Sequence, residues 1–196
     1  RRSECCIAVP KPMSTIEVSI EGDLVPWKVS PGLFASGGVD IMTAFLLEAM
    51  NSVSIMRPSD VVIDFCCGSG VIGATLLQRC PSMTLHMLDA DTLAIKCAKK
   101  NVPGAAFFHL SDGWQNVPTD LLFNTIVSNP PVHLGHDSSF QVVMSLISGG
   151  KKRLKPGGKL WIVAQNNIPV GRMLAAEKST YFESDVQLIS DGRFTA

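Results

Sequence analysis

Net charge is the first thing this chain lacks. Its 196 residues carry 17 Lys and Arg against 17 Asp and Glu, a formal charge of zero. A domain that grips a long stretch of RNA or DNA unaided carries a basic excess. Any nucleic-acid footprint must therefore come from a local cluster or from another domain. There is also no apolar run near the roughly 20 residues that cross a bilayer, and no signal-peptide hydrophobic region at the N-terminus, so no membrane partner is expected. Neither a disulfide framework nor a zinc ligand spacing is present. The six cysteines stand as Cys5-Cys6, Cys66-Cys67, Cys80 and Cys97, and adjacent pairs fit neither pattern. Cys66, Cys67 and Cys97 lie in apolar stretches as small hydrophobes, which points to a reducing, cytoplasmic setting. Internal repeats and low-complexity tracts are missing too. What is present is 46% hydrophobic residues, enough for one globular domain that buries roughly 70% of its unfolded surface.

The segment Thr15-Ile-Glu-Val-Ser-Ile20 alternates apolar and polar, turns at Glu21-Gly22-Asp23 and continues as Leu24-Val-Pro-Trp-Lys-Val29, a β-hairpin in which Pro26 suits only an edge strand. Residues 40–50 read as a helix capped by Asp40. From residue 60 strands and helices alternate. Val61 to Cys67 is a continuous apolar run, as in a parallel strand buried on both faces. A glycine turn and a helix to residue 79 follow, ended by Pro81, then a strand at Met83–Leu88 and a helix capped by Asp91 with Ala94, Cys97 and Ala98 inside. Further strands are expected at Ala105–His109, Thr125–Ser128 and Lys159–Ala164. A helix over residues 139–153 precedes the last of them, Lys155-Pro-Gly-Gly158 makes the turn into it, and a closing hairpin from residue 181 turns at Asp191-Gly192. The pattern predicts a twisted α/β sheet covered on both faces, with its binding crevice beyond the carboxyl ends of the strands.

Two motifs fall in that crevice. Gly68-Ser-Gly70-Val-Ile-Gly73 leaves a buried strand and opens a helix, so a ligand can approach the backbone closely and sit against the helix N-terminus. Asp89 ends the next strand, placed to accept both hydroxyls of a ribose. These residues suit a dinucleotide or S-adenosylmethionine. Asp64, four residues before Gly68, favours the latter, because it can hold a cationic ammonium and would repel a pyrophosphate. The second motif is Asn129-Pro130-Pro131. Its prolines stiffen the backbone and push Asn129 to extended geometry. A side-chain amide oxygen and a main-chain carbonyl can then accept hydrogen bonds from one –NH2 group and aim its lone pair at an electrophile.

Asp64-Phe-Cys-Cys-Gly-Ser-Gly70 resembles the D-x-G-x-G-x-G of class I S-adenosylmethionine-dependent methyltransferases, and Asn129-Pro-Pro resembles motif IV of their amino-methylating branch. Over residues 16–196 the chain is most similar to the ribosomal RNA guanine-N2 methyltransferases of the MTS type. Gly32-Leu-Phe34 with Gly38-Val-Asp40 is similar to that family's V-F-S-R-x-G-L-D, and Asn129-Pro-Pro-Val-His133 and Leu154 to Ala164, followed by Asn166 and Asn167, also match. The resemblance implies a Rossmann-like α/β fold with a mostly parallel seven-stranded sheet and helices on both faces. The N-terminal hairpin and helix occupy residues 1–50, and the methyltransferase domain residues 51–196. It also implies transfer of a methyl group from S-adenosyl-L-methionine to the exocyclic N2 of a guanine, with ribosomal RNA or a ribosomal subunit as partner. Asn129, Pro130 and Pro131 would be catalytic, Asn129 also touching the cofactor, with Phe34, Val132 and His133 on the substrate. Asp64, Gly68 and Gly70 would hold the methionine portion, Asp89 the ribose and Asp112 the adenine amino group, and no metal takes part.

The chain departs from the family at several points. Cys66 replaces the first motif glycine, Ser36 and Gly37 stand where an Arg and a polar residue are usual, and Val132 replaces the aromatic that stacks on the target base. Phe34 or Phe140 would then supply the stacking ring. Bacterial members carry a second, degenerate methyltransferase-like domain ahead of this one, so the RNA-gripping half is expected from another domain or a partner. His133 and His136, spaced H-x-x-H, lack a third ligand. Lys151, Lys152, Arg153 and Lys155 read first as a solvated helix end and second as a phosphate contact. The rival functions are methylation of a protein glutamine, a non-catalytic cofactor-binding module for ribosome assembly and, weakest, an NAD-dependent oxidoreductase, which has no use for Asn129-Pro-Pro.

Overall fold

Alternation of side chains along each strand decides how the layers form. The computed structural model describes residues 12–33, 39–53, 56–104, 106–131, 137–177, 189–190 and 192–196. Strands β1 (Ser14–Ile20) and β2 (Asp23–Val29) form the expected hairpin. Glu21 and Gly22 both take positive φ, 49° and 92°, the twist that a two-residue hairpin turn requires. Val18, Ile20, Trp27 and Val29 face inward. Pro26 opposes Glu17 in this two-stranded sheet, where each strand is an edge. Helix α1 (Ile41–Val53) follows, capped as expected: Asp40 Oδ2 accepts from the backbone N–H of Met42 at 3.1 Å and of Thr43 at 3.3 Å.

The central sheet is built from β3 (Val61–Phe65), β4 (Thr84–Asp89), β5 (Ala106–Leu110), β6 (Phe123–Ser128) and β7 (Leu154–Ile162). All neighbours are parallel and the order is β5-β4-β3-β6-β7. One face packs Val62, Leu85, Met87, Val127 and Trp161 against α2 (Val71–Arg79), α3 (Thr92–Asn101), α1 and the hairpin. The other packs Ile63, Phe65, Leu88, Ile126 and Ile162 against Trp114 and α4 (Asp137–Lys151). Strands buried on both faces account for the near-continuous apolar runs in the sequence. Asp91 caps α3 by accepting from Leu93 N at 2.7 Å.

Among the described residues the central sheet holds five of the seven strands expected. Ala164 leaves the fifth to form β8 (Ala164–Gln165), which pairs antiparallel with β9 (Phe194–Thr195). The closing hairpin expected from residue 181 lies mostly outside the described residues. Lys155 to Gly158 is not a turn ahead of the strand but an irregularity inside β7: Leu154 already pairs with Phe123, and the register shifts before Lys159 meets Thr125. Gly157 takes φ 73° there, and a Cβ on Gly158 would lie 2.9 Å from the Lys155 carbonyl. The nearby basic residues are mostly turned inward. Lys151 and Arg153 are buried, Arg153 stacks over Trp114 at 4.9 Å, and Lys155 Nζ donates to Asn124 Oδ1 at 2.9 Å. Only Lys152 of the four is exposed. Helix α5 (Val170–Glu177) was not anticipated, because Asn166-Asn167 and Pro169 obscure its start.

Trp114 sits at the centre of the second layer. It lies 4.8 Å from Phe65 ring to ring, and its Nε1 donates to the Ser145 carbonyl of α4 at 3.0 Å. Gly149 admits the indole, since a Cβ there would lie 2.2 Å from Trp114 Cδ1. Gly149→Ala gains about 1 kcal/mol of helix propensity but forces a rigid buried ring to move, and overpacking of that kind costs about 1–3 kcal/mol. With so short an approach the clash wins. The expected net loss is about 1–2 kcal/mol, read from the urea midpoint together with a red shift in tryptophan emission.

Candidate functional site

Because β5, β4, β3 and β6 are parallel, their carboxyl ends open on the same edge of the sheet, and the loops that follow them meet around one cavity of about 280 Å³. Its wall includes Cys66 to Ser69 after β3, Asp89 to Asp91 after β4, Ser111 to Gly113 after β5, and Asn129 to Pro131 after β6. Gly32, Leu33, Asp40 and Thr43 complete the wall from the N-terminal segment.

The glycine turn is held by two carboxylates. Asp89 Oδ2 accepts from Gly68 N at 2.8 Å, and Asp89 Oδ1 from Asp91 N at 2.9 Å. Asp64 Oδ2 accepts from Gly73 N at 3.0 Å. The glycines divide the work. Gly68 takes φ 54° and meets nothing within 4 Å on its Cβ side, facing the cavity. Gly70, at φ 99°, lies off the cavity wall. A Cβ there would meet Met87 Cε at 2.9 Å and Val102 Cγ2 at 3.1 Å, so Gly70 serves the packing of α2 and α3 on the sheet. Cys66 takes a left-handed backbone, with φ 63°. That conformation disfavours any side chain with a Cβ.

Asp64 is also off the cavity wall. It is fully buried beneath the turn, and its Oδ1 has no hydrogen-bond partner among the described residues. Burial pushes its carboxyl up from 3.8 to about 7, opposed by the Gly73 N–H and reinforced by Asp89. Burial also raises Asp89, against the N–H groups of Asp91 and Gly68. Asp112 is exposed on the rim. Its loop is shaped by Ser111, whose Oγ donates to Gly113 O at 2.7 Å and accepts from Asn116 N at 3.0 Å.

Opposite the glycine turn, the Asn129 side chain is fixed by residues from α1. Its Nδ2 donates to Asp40 Oδ2 at 2.9 Å and to Thr43 Oγ1 at 3.0 Å. A carboxylate oxygen can only accept, so the –NH2 end must face Asp40. Both amide hydrogens are then engaged, and the carbonyl end of the amide is directed away from α1. Ser128 anchors the strand end below it by donating to the Phe65 carbonyl at 2.6 Å. Asp40 was legible as a helix cap but not as a partner of Asn129, which lies 89 residues away.

Of the residues expected from sequence, Gly68, Asp89, Asp112, Asn129, Pro130 and Pro131 come together around the cavity, while Asp64 and Gly70 support it from beneath. Phe34, Val132 and His133 lie outside the described residues, as do Ser36, Gly37 and His136. Phe140 lies in α4 and does not line the cavity, whereas Val142 of the same helix does.

Residues 25–192 match the family described as the methyltransferase small domain. The chain belongs to this family. Relatives within reach are a ribosomal RNA small subunit methyltransferase C of Alteromonas mediterranea, 33% identical over 175 residues, and one of Acinetobacter baumannii, 33% identical over 166. These alignments cover 87% and 81% of this chain but 46% and 48% of the relatives, so the chain spans about half their length. Among solved structures, a T. thermophilus 16S ribosomal RNA N2 methyltransferase in complex with AdoMet and guanosine superposes with a TM-score of 0.79 at 22% identity. It covers 95% of this chain and 50% of that one. This methyltransferase small domain has the Rossmann-like fold of class I methyltransferases, with the hairpin added at its N-terminus.

The buried Asp64 gives this domain a pH signature. The folded state binds the Asp64 proton more tightly than the unfolded state does, so the associated stability is complete below about pH 4 and is lost as pH rises through about 7. Asp64→Asn retains an acceptor for Gly73 and cannot ionise. Its urea midpoint should fall less steeply between those limits than the wild type's, and the raised Asp89 should leave a residual slope. Parallel curves would contradict the buried-acid assignment.

Proposed function

We propose that this domain is the cofactor-binding and catalytic half of a ribosomal RNA guanine-N2 methyltransferase. The observation that carries this reading is the Asn129 amide, held by Asp40 and Thr43 at the rim of a cavity whose other wall is a glycine turn. The names of the relatives and the guanosine complex of the T. thermophilus protein support the same substrate class.

The cavity residues fit S-adenosyl-L-methionine. Asp89 is a wall carboxylate with acceptor capacity left for ribose hydroxyls, Asp112 lies at the rim for the adenine amine, and Gly68 leaves the turn open. Val71 and Ile72 belong to the first turn of α2, whose N–H groups lack helical partners and suit a carboxylate. Asp64 acts from beneath, keeping the turn and the start of α2 in place through Gly73. When bound, the cofactor supplies an electrophilic methyl group on sulfur.

The chain's part is to hold the amine in line. Asn129 Oδ1 and the Pro130 carbonyl accept the amine hydrogens and direct its lone pair toward the methyl group. As nitrogen bonds carbon it becomes cationic, and the two prearranged oxygens stabilise that charge without reorganising. The bound cofactor would supply the methyl group and take the leaving electron pair on sulfur, and the acidic nitrogen would then release its proton to water. Pro130 and Pro131 keep the backbone from relaxing around the charge. In this scheme Phe34, Val132 and His133 are the residues assigned to the target base. RNA grip outside the pocket comes from another domain or a partner, consistent with a chain of zero formal charge.

Tritiated methyl transfer from S-adenosylmethionine to small ribosomal subunits, stripped RNA and ribosomal protein tests the assignment. The label is expected in RNA, on guanine N2. Label in protein alone, or none in any arm, would overturn it. Asn129→Ala should lower turnover at least a hundredfold, of the order seen when one prearranged acceptor or donor is lost, and leave cofactor affinity nearly intact. Asp89→Ala should do the reverse, raising the cofactor KM with a smaller effect on kcat.

A further inference from the structure

The N-terminal hairpin reaches the glycine turn through a hydrogen bond that the scheme above does not use. Trp27 of β2 is 2% exposed, and its Nε1 donates to Ser69 Oγ at 3.0 Å. An indole N–H can only donate, so the serine oxygen accepts and its hydroxyl hydrogen is left for a second partner. The Ser69 backbone is held from the same side. Its carbonyl accepts from Asn101 Nδ2 at 2.9 Å. The same amide pairs with the free edge of β2: Lys28 N donates to Asn101 Oδ1 at 2.7 Å, and Asn101 Nδ2 donates to Lys28 O at 2.9 Å. Ser69 lines the cavity between Gly68 and the first turn of α2.

We propose that Ser69 is a ligand-binding residue whose hydroxyl donates to the carboxylate of the ligand's amino-acid arm, and that Trp27 is the positioning residue that aims it. This inference rests on the S-adenosylmethionine reading. A serine hydroxyl free to choose among three staggered rotamers would lose that freedom on binding. Here Trp27 holds the side chain in one rotamer before the ligand arrives. An oxygen that already accepts a hydrogen bond is polarised to donate a stronger one. The bond also joins residues 42 apart in sequence, so the hairpin becomes part of the cofactor site and not only a lid on the core.

Calorimetry with two probes isolates the effect. S-adenosylhomocysteine carries the amino-acid arm, whereas 5′-methylthioadenosine keeps the nucleoside and sulfur without it. Trp27→Phe keeps an aromatic ring in the buried position and removes the N–H together with part of the indole's volume, so the comparison of the two probes, not the loss for either alone, carries the test. It should weaken S-adenosylhomocysteine about five- to tenfold, the value of one hydrogen bond, and leave methylthioadenosine within about twofold. Ser69→Ala should show the same split even if Trp27→Phe fails to fold, and Ser69→Thr, which keeps the hydroxyl, should restore wild-type affinity. Equal weakening of both probes, or no change in either, would overturn the proposal while leaving the cofactor reading intact. A wild-type protein that bound neither probe would overturn both.

Discussion

An amide has two ends, and the chemistry proposed for this domain depends on which end faces the ligand. In the proposed scheme Asn129 presents its oxygen because its nitrogen is already committed: Asp40 and Thr43 take both amide hydrogens. Without those partners the side chain could rotate about its last torsion and offer donors where acceptors are needed. The interaction costs little, since the same Asp40 oxygen caps α1. One carboxylate thus ends a helix and orients the residue on which the proposed transfer depends.

The N-terminal segment reaches both lips of the cavity. Asp40 and Thr43 hold the lip that follows β6, while Trp27 and the edge of β2 hold the lip that follows β3. The sheet itself supplies only the common edge from which these loops rise. Hairpin and α1 share the core layer of Val62, Leu85 and Met87, so their hold on the site is backed by buried apolar surface. Beneath the turn the balance is less favourable. Asp64 is buried with one oxygen unpaired, and Cys66 keeps a backbone conformation suited to glycine. Both are local costs borne at the point where the backbone must stay open to a ligand.

Much of this was legible in the sequence because it is local. Apolar runs at β3, β4 and β6, the Asp91 cap, the Glu21-Gly22 turn and the glycines after β3 are short-range signals with direct physical causes. The strand ends could therefore be read as carriers of Gly68, Asp89 and Asn129. What the sequence hid is long-range. Nothing near Asn129 names Asp40 as its partner, and nothing near Ser69 names Trp27. The irregularity at Lys155 to Gly158 was misread as a turn because a Pro-Gly-Gly run carries the same signal whether it precedes a strand or interrupts one. The basic run from Lys151 to Lys155 misled for a related reason. Charge suggests solvent, yet the Arg153 guanidinium stacks on Trp114, a residue 39 positions earlier whose ring no local pattern places there. Gly70 and Gly73, read as room for a ligand, make room instead for Met87 and Leu85 of the neighbouring strand.

In the proposed scheme Asp40 acts on chemistry only by orienting Asn129. A double-mutant cycle on single-turnover methyl transfer tests it most directly. Asp40→Ser keeps a helix-capping side chain while removing the carboxylate that reaches Asn129. In the wild-type background this variant should slow transfer roughly ten- to a hundredfold, the cost of one charge-assisted hydrogen bond. In an Asn129→Ala background it should slow transfer no further, because the oriented group is gone. If instead the two losses multiply, Asp40 acts independently of Asn129, and the account of the site is wrong at its centre.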